Sequence, residues 1–235
     1  MSADDLDEHL DIAESAGRTA LTFSQLCDGW AGRRPLPPKP FVITFDDGYV
    51  DTLTVAAPVL ERHGVAASVF LTTGFVTGTS PGGDRMLDWS QARELADAGH
   101  EIGAHTVTHP QLDLLPARES ASEIRRSKDQ LEDRLAVPVR SFAYPHGYST
   151  PRVRRQVAEA GFDSACSVKN VLAGPPDTVF SISRLTVTPN ASTATVRRWL
   201  EGDGPVGQRD ERVATKAWRS YRRMRTIPAQ AGQGS

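Results

Sequence analysis

Cysteine is nearly missing from this 235-residue chain: Cys27 and Cys166 stand far apart and form no CxxC pair. That excludes a thiolate-rich metal site and leaves both as free thiols. A large excess of either sign of charge is missing too. With 27 Lys and Arg against 29 Asp and Glu the net charge is -2, so nothing global draws the chain to nucleic acid or an anionic membrane. No apolar run approaches the length needed to span a bilayer. The N-terminal stretch MSADDLDEHLDIAESAG has neither a basic n-region nor an apolar h-region, so it does not read as a secretory signal and the expectation is a cytoplasmic protein. Histidine is absent after His146. What remains, 39% hydrophobic and 24% charged residues, is an ordinary globular composition sufficient for one large α/β domain or barrel.

The densest signal is Phe41 to Tyr49, FVITFDDGY. Its β-branched and aromatic residues do not alternate with charges, the pattern of a strand buried on both faces of a parallel sheet. Asp46 and Asp47 then sit at that strand's C-terminal end, the edge where reacting groups collect in barrels and open α/β sheets. Gly48 permits a sharp turn there. Two adjacent carboxylates repel, and coexist cheaply when a cation neutralises one or a proton sits on one.

Around this stretch, strand and helix signals alternate. Residues 4–16 and 23–30 read as short helices, and RRPLPPKP as a stiff extended lead. Asp51 to His63 reads as a helix with Asp51 or Thr52 as N-cap and Gly64 as its stop. Val65 to Thr72 is a buried strand, and Gly74 to Arg85 a loop. Asp88 and Gln91 suit a capping box for a helix 89–98. Strands are expected at 100–104, 141–144, 164–168 and 182–187, and helices at 116–135 and 151–160. This alternation implies a parallel sheet, open or closed into a barrel.

The second constellation is His105-Thr106-Val107-Thr108-His109, two imidazoles four apart directly after a strand. One helical turn separates them, so both rings can face one ion. Pro110 disfavours helix at His109 and suggests a single turn held in a loop. Two surface histidines are the plainer reading of the pair alone. With Asp47, however, they make a three-ligand set of two nitrogens and one oxygen, the donor arithmetic of a catalytic zinc site or a two-His-one-carboxylate site.

TFDDG, the HTVTH turn following GHEIG, and FAYPHG together resemble the polysaccharide deacetylases, carbohydrate esterase family four, over about Pro37 to Val187. The resemblance implies a distorted (β/α) barrel of parallel strands and metal-dependent removal of N-acetyl groups from an amino-sugar-containing saccharide. It implies a divalent ion, zinc first, with cobalt or another divalent ion as alternatives. On matching positions Asp46 looks like the general base, Asp47, His105 and His109 like the metal ligands, and the backbone amide at His146 like an oxyanion donor. The chain then divides into a helical lead-in (1–36), a catalytic domain (37–200) and a basic tail (201–235), partly helical with a disordered end. Two departures stand out. Ala143 occupies the place where many members carry an arginine, so the cation orienting the base is expected from Arg184, with Arg140 second. The late Leu-x-His of many members is missing, which leaves His146 as the candidate proton donor to the leaving amine, against a plain surface-loop histidine.

Tyr144 and Pro145 are candidates to line the substrate pocket, Tyr144 otherwise filling the barrel. Trp89 is a candidate to stack on a sugar ring, although a tryptophan at a helix start is more often a packing anchor. Residues 209–225 interleave Arg209, Arg212, Lys216, Arg219, Arg222, Arg223 and Arg225 with Val213, Trp218, Tyr221 and Met224, a basic amphipathic helix read as docked and solvated rather than as a nucleic-acid or membrane contact. The alternative to an enzyme is a carbohydrate- or partner-binding protein on the same fold, with catalysis impaired. Intact Asp46 argues for the enzyme, because a binding protein has no need of a base beside the ligands. A phosphotransferase built on DxDG is disfavoured by Phe45 in the place of the first acid.

Overall fold

The computed structural model describes residues 2–174, 177–188 and 191–205. The segments 209–225 and 228–235, expected as a basic helix and a disordered end, lie outside the described residues.

Six strands form one sheet in the order β3 (Thr44–Asp47), β4 (Ser68–Leu71), β5 (Glu101–Ala104), β6 (Ser141–Ala143), β7 (Ser164–Val168) and β8 (Ile182–Arg184). All neighbours pair in parallel, and the sheet curls as a half-barrel. Parallel pairing demands a crossover between strands, and α3 (Ala57–Arg62), α4 (Trp89–Asp97), α5 (Ala117–Leu135) and α6 (Pro151–Glu159) supply four of them. The shared direction puts every strand's C-terminal end on one rim. Asp46, Asp47, His105 and Arg184 lie on or just beyond that rim.

Burial follows position in the sheet. All of β4 is buried, whereas every residue of the edge strand β3 is only partly so. Alternation sorts the approach to β3 into two faces: Phe41, Ile43 and Phe45 pack beside Leu6, Leu10, Val59 and Leu60, while Val42 joins Phe23, Phe70 and Cys166. The larger core lies between sheet and outer helices, with Ile124, Leu131 and Leu135 of α5 fully buried.

The lead-in is docked on this body. In α1 (Ala3–Ser15), Ser2 and Asp5 form a capping box, as Thr22 and Gln25 do for α2 (Phe23–Trp30). Phe23 meets the Phe70 ring edge-on at 5.9 Å. Short strands β1 (Thr19–Ala20) and β2 (Pro40–Phe41), not anticipated, pair in parallel and tie the two ends of this segment together. Below the sheet, the Glu101 carboxylate accepts from the Ser24 N–H, Ser24 Oγ, Ser68 Oγ and Ser141 Oγ at 2.5–2.9 Å, joining α2 to three strands.

Two local expectations are corrected. Residues 51–62 are helical without a break, as expected, but Thr52–Ala56 is a π segment leading into α3, and neither Asp51 nor Thr52 caps it by a side-chain bond. Pro58 explains the change, since it cannot donate to the residue-54 carbonyl and its ring crowds that turn. The HTVTH segment is not a helical turn, because Thr106 and His109 have positive φ, 69° and 57°. Pro110 excludes the helical region at His109, and the chain reverses through left-handed residues. Beyond the last expected strand, α7 (Thr193–Leu200) is capped by Ser192 and packs on α1.

Candidate active site and metal centre

The Asp-Asp-Gly turn separates two carboxylates that are neighbours in sequence. Asp47 adopts φ 72° and Gly48 φ 93°, so the chain swings back immediately after β3 and the two side chains diverge. A Cβ at Gly48 would fall 2.8 Å from Leu71 Cδ2, which reserves the position for glycine.

Asp46 faces Arg184, whose guanidinium donates Nη1 to Oδ1 and Nη2 to Oδ2, each at 2.8 Å, and Nη1 also to Thr44 Oγ1 at 2.9 Å. Burial by itself raises the pKa of the Asp46 carboxyl, but the Arg184 charge, joined by the His105 and His109 rings, outweighs it and holds the group below its ordinary value. Arg140, the second candidate for this cation, is engaged by Asp28 and Asp163.

Asp47 faces the imidazoles instead. Its Oδ1 lies 3.5 Å from His105 Nε2 and 3.3 Å from His109 Nε2. His105 Nδ1 sits 2.7 Å from the Ala143 carbonyl at the end of β6. A carbonyl only accepts, so Nδ1 carries the proton and donates, leaving the Nε2 lone pair turned toward Asp47. Burial lowers the His105 pKa although Asp46 and Asp47 oppose it, and the neutral ring is the form a metal binds. The reversed loop is closed by Thr106, whose Oγ1 accepts from the His109 N–H at 3.0 Å.

These residues fit a divalent cation. Among the described residues, Asp47 Oδ1 is buried without a hydrogen-bond partner, an arrangement costly for an oxygen anion unless a cation completes it. One oxygen and two imidazole nitrogens, all within 4.8 Å of one another, make a small convergent donor set. Its composition suits zinc and several neighbouring metals.

His146 adjoins this set. It has φ 58° in the turn after β6, and its ring meets the His109 ring edge-on at 4.6 Å. Burial, then the neighbouring His109, lower its pKa. A cleft of about 280 Å³ opens from Asp47 and His109 between Tyr49, Phe75 and the glycine-rich hairpin carrying Pro81, Asp84 and Met86. Apart from Asp47 and His109, none of these lining residues was named as a site residue from the sequence. Tyr49 had one readable signal, an aromatic directly after the Asp-Asp-Gly turn, whereas the hairpin has no code short of its fold.

Two residues expected to line the substrate pocket are not among those lining the cleft, and Pro145, expected beside them, is buried. Tyr144 is fully buried, its hydroxyl donating to the Phe180 carbonyl at 2.9 Å, so it fills the barrel. Trp89 packs on the core at the start of α4 with the Arg134 guanidinium over its ring at 5.6 Å, and it is an anchor between α4 and α5.

A family model described as polysaccharide deacetylase matches residues 33–165. The poly-beta-1,6-N-acetyl-D-glucosamine N-deacetylase of Escherichia coli strain K12 is 26% identical over 215 residues, covering 75% of this chain and 32% of that protein. The structure of IcaB from Ammonifex degensii superposes with a TM-score of 0.76 at 28% identity, covering 86% of this chain and 90% of that one. The Streptococcus pyogenes deacetylase PplD in complex with acetate gives a TM-score of 0.78 at 24% identity over 85% and 87% of the two chains, a likeness of fold. The chain spans less than two thirds of the length of the curated relatives it matches. Among the described residues no helix is long and apolar enough to cross a membrane.

Proposed function

The chain belongs to the polysaccharide deacetylase family, and from that premise we propose that it is a metal-dependent hydrolase removing N-acetyl groups from an amino-sugar-containing saccharide. The observation that carries the reading is the division of labour between adjacent acids: Asp47 turned to two imidazoles, Asp46 turned to Arg184. A binding protein has no use for an ionised, oriented carboxylate beside a cation site. The substrate named for the Escherichia coli relative, an N-acetylglucosamine polymer, supports an N-acetylated hexosamine here.

A divalent ion held by Asp47, His105 and His109 would supply Lewis acidity for the amide carbonyl and acidify a water molecule. Asp46, kept ionised by Arg184, accepts the proton that water gives up. The bidentate grip fixes the carboxylate plane and so the direction of that transfer. The backbone N–H at His146 is the candidate donor to the developing oxyanion, a contribution of about 3 kcal/mol where such donors have been removed. The His146 ring, edge-on to His109, is the candidate to protonate the departing amine.

The test is metal analysis together with acetate release from N-acetylated chito-oligosaccharides, for wild type and Asp46→Asn. The expected result is hydrolysis by the metal-loaded wild type and loss of turnover in Asp46→Asn with the metal retained. A metal-loaded wild type that binds these saccharides but releases no acetate would replace this reading with that of a binding protein on the same fold.

A further inference from the structure

The loop between His105 and His109 is held from outside by α5. Two successive backbone N–H groups, those of Val107 and Thr108, converge on Glu123 Oε2 at 2.9 Å each, and Thr108 Oγ1 donates to Glu123 Oε1 at 3.0 Å. They converge because Thr106 is left-handed, the backbone geometry that gathers consecutive amides into a small anion-binding nest. A β-branched residue adopts that conformation only where the surroundings over-determine it. Other bonds account for part of the determination: the Thr73 N–H donates to the Thr106 carbonyl at 3.1 Å, the Gly74 N–H to the Val107 carbonyl at 2.8 Å, and Thr73 Oγ1 to Gln130 Oε1 at 2.5 Å. Gln130 lies seven residues after Glu123, on the same face of α5. Among the described residues Glu123 is the acceptor for the N–H groups of both peptides lying between the histidines, while Thr73 and Gly74 hold their carbonyls.

We propose that Glu123 is a positioning residue for the metal centre: its carboxylate locks the loop in the one backbone path that turns His109 Nε2 toward Asp47 Oδ1 and His105 Nε2. This rests on reading Asp47, His105 and His109 as ligands. His105 is fixed independently, by the end of β5 and its bond to the Ala143 carbonyl, whereas His109 follows two residues whose amides end on Glu123. Removing the carboxylate leaves three donors competing for water and loosens the path into His109, so the ligand set loses preorganisation while the sheet remains intact.

The experiment compares dissociation constants for Zn²⁺, from chelator competition, in wild type, Glu123→Ala, Glu123→Gln and Gln130→Ala, with urea unfolding of each apoprotein alongside. Glu123→Ala is expected to weaken Zn²⁺ by about 10–100-fold, the usual effect of removing an outer partner of a metal site, with Glu123→Gln intermediate and Gln130→Ala nearer wild type. The Co²⁺ absorption spectrum should change shape in Glu123→Ala, a signature that loss of stability alone does not produce. Zn²⁺ affinity within twofold of wild type in Glu123→Ala, whatever its unfolding midpoint, overturns the positioning role and leaves the ligand assignment standing. Absence of Zn²⁺ binding in the wild type overturns both. If Glu123→Ala does not fold, Thr108→Val, which removes only the Oε1 bond, takes its place, with a smaller weakening expected and an unchanged affinity counting against the proposal.

Discussion

Arg184 and Asp46 lie on the two edge strands of the sheet, 138 residues apart, and their paired 2.8 Å contacts bridge the open side of the half-barrel. Among the described residues no backbone ladder joins β3 to β8. The seam is therefore crossed by a side chain that simultaneously orients the candidate base. A structural contact and a chemical one coincide in one ion pair.

Replacing Arg184 by lysine keeps a charge but not the planar fork that takes both carboxylate oxygens. In the wild type the arginine holds the Asp46 pKa down against burial, so weaker pairing lets it rise. Because the base must be ionised, the acid limb of the kcat/KM profile is expected to move to higher pH in Arg184→Lys. An unmoved acid limb would separate Arg184 from the reacting carboxylate. Arg184→Met, which strands a partly buried carboxylate, should cost about 3–5 kcal/mol of stability, read from urea unfolding.

His146→Phe keeps ring volume beside His109 and removes the proton. If His146 protonates the leaving amine, kcat should fall about 10²–10⁴-fold while KM changes little. The basic limb of the pH profile should also disappear, since that limb reports deprotonation of the acid. Wild-type turnover in His146→Phe assigns the proton to another source.

Glu101 joins α2 to β4, β5 and β6 through four accepted hydrogen bonds. Bonds to a charged acceptor each contribute about 1.5–3 kcal/mol, and orphaned donors add a penalty. Glu101→Ala should therefore lose about 3 kcal/mol or more in urea unfolding. A loss under about 1 kcal/mol would assign the docking of α2 to the Phe23–Phe70 contact and its apolar surroundings instead.

Asp28 is held down to about 2, first by Arg140, against burial, with Arg33 adding to it. The unfolded group titrates near its ordinary 3.8, so the folded state binds the proton more weakly. The stability this pair contributes is then full above about pH 4 and is lost as pH falls through 2. Asp28→Asn should lower the unfolding midpoint at pH 6, and the gap from wild type should close toward pH 2. A gap independent of pH would attribute the effect to packing.

Much of the architecture was legible because its causes are local. The box of Asp88 and Gln91 starts α4 as expected, and Thr22 and Thr150 cap their helices, because a cap is a contact between residues three apart. The acids and imidazoles were legible through residue type and order. The left-handed path that turns them together was not, since φ at Thr106 and His109 depends on Glu123, fourteen or more positions further along. Tyr144 and Trp89 were ambiguous for a related reason: an aromatic side chain suits a sugar face or a core equally, and only the packing around it decides.

The amino-acid sequence by itself determined the alternation of strand and helix, the donor set Asp47, His105 and His109, and the presence of a second acid free for other work. These follow from periodicity and chemistry carried within short windows. Tertiary structure decided for Arg184, expected from the sequence, over Arg140 as the partner of Asp46, and it alone showed that α5 supports the histidine loop and that Asp47 Oδ1 lies buried without a hydrogen-bond partner. Each depends on curling a parallel sheet until residues far apart in the chain share one rim, and no local window contains that distance.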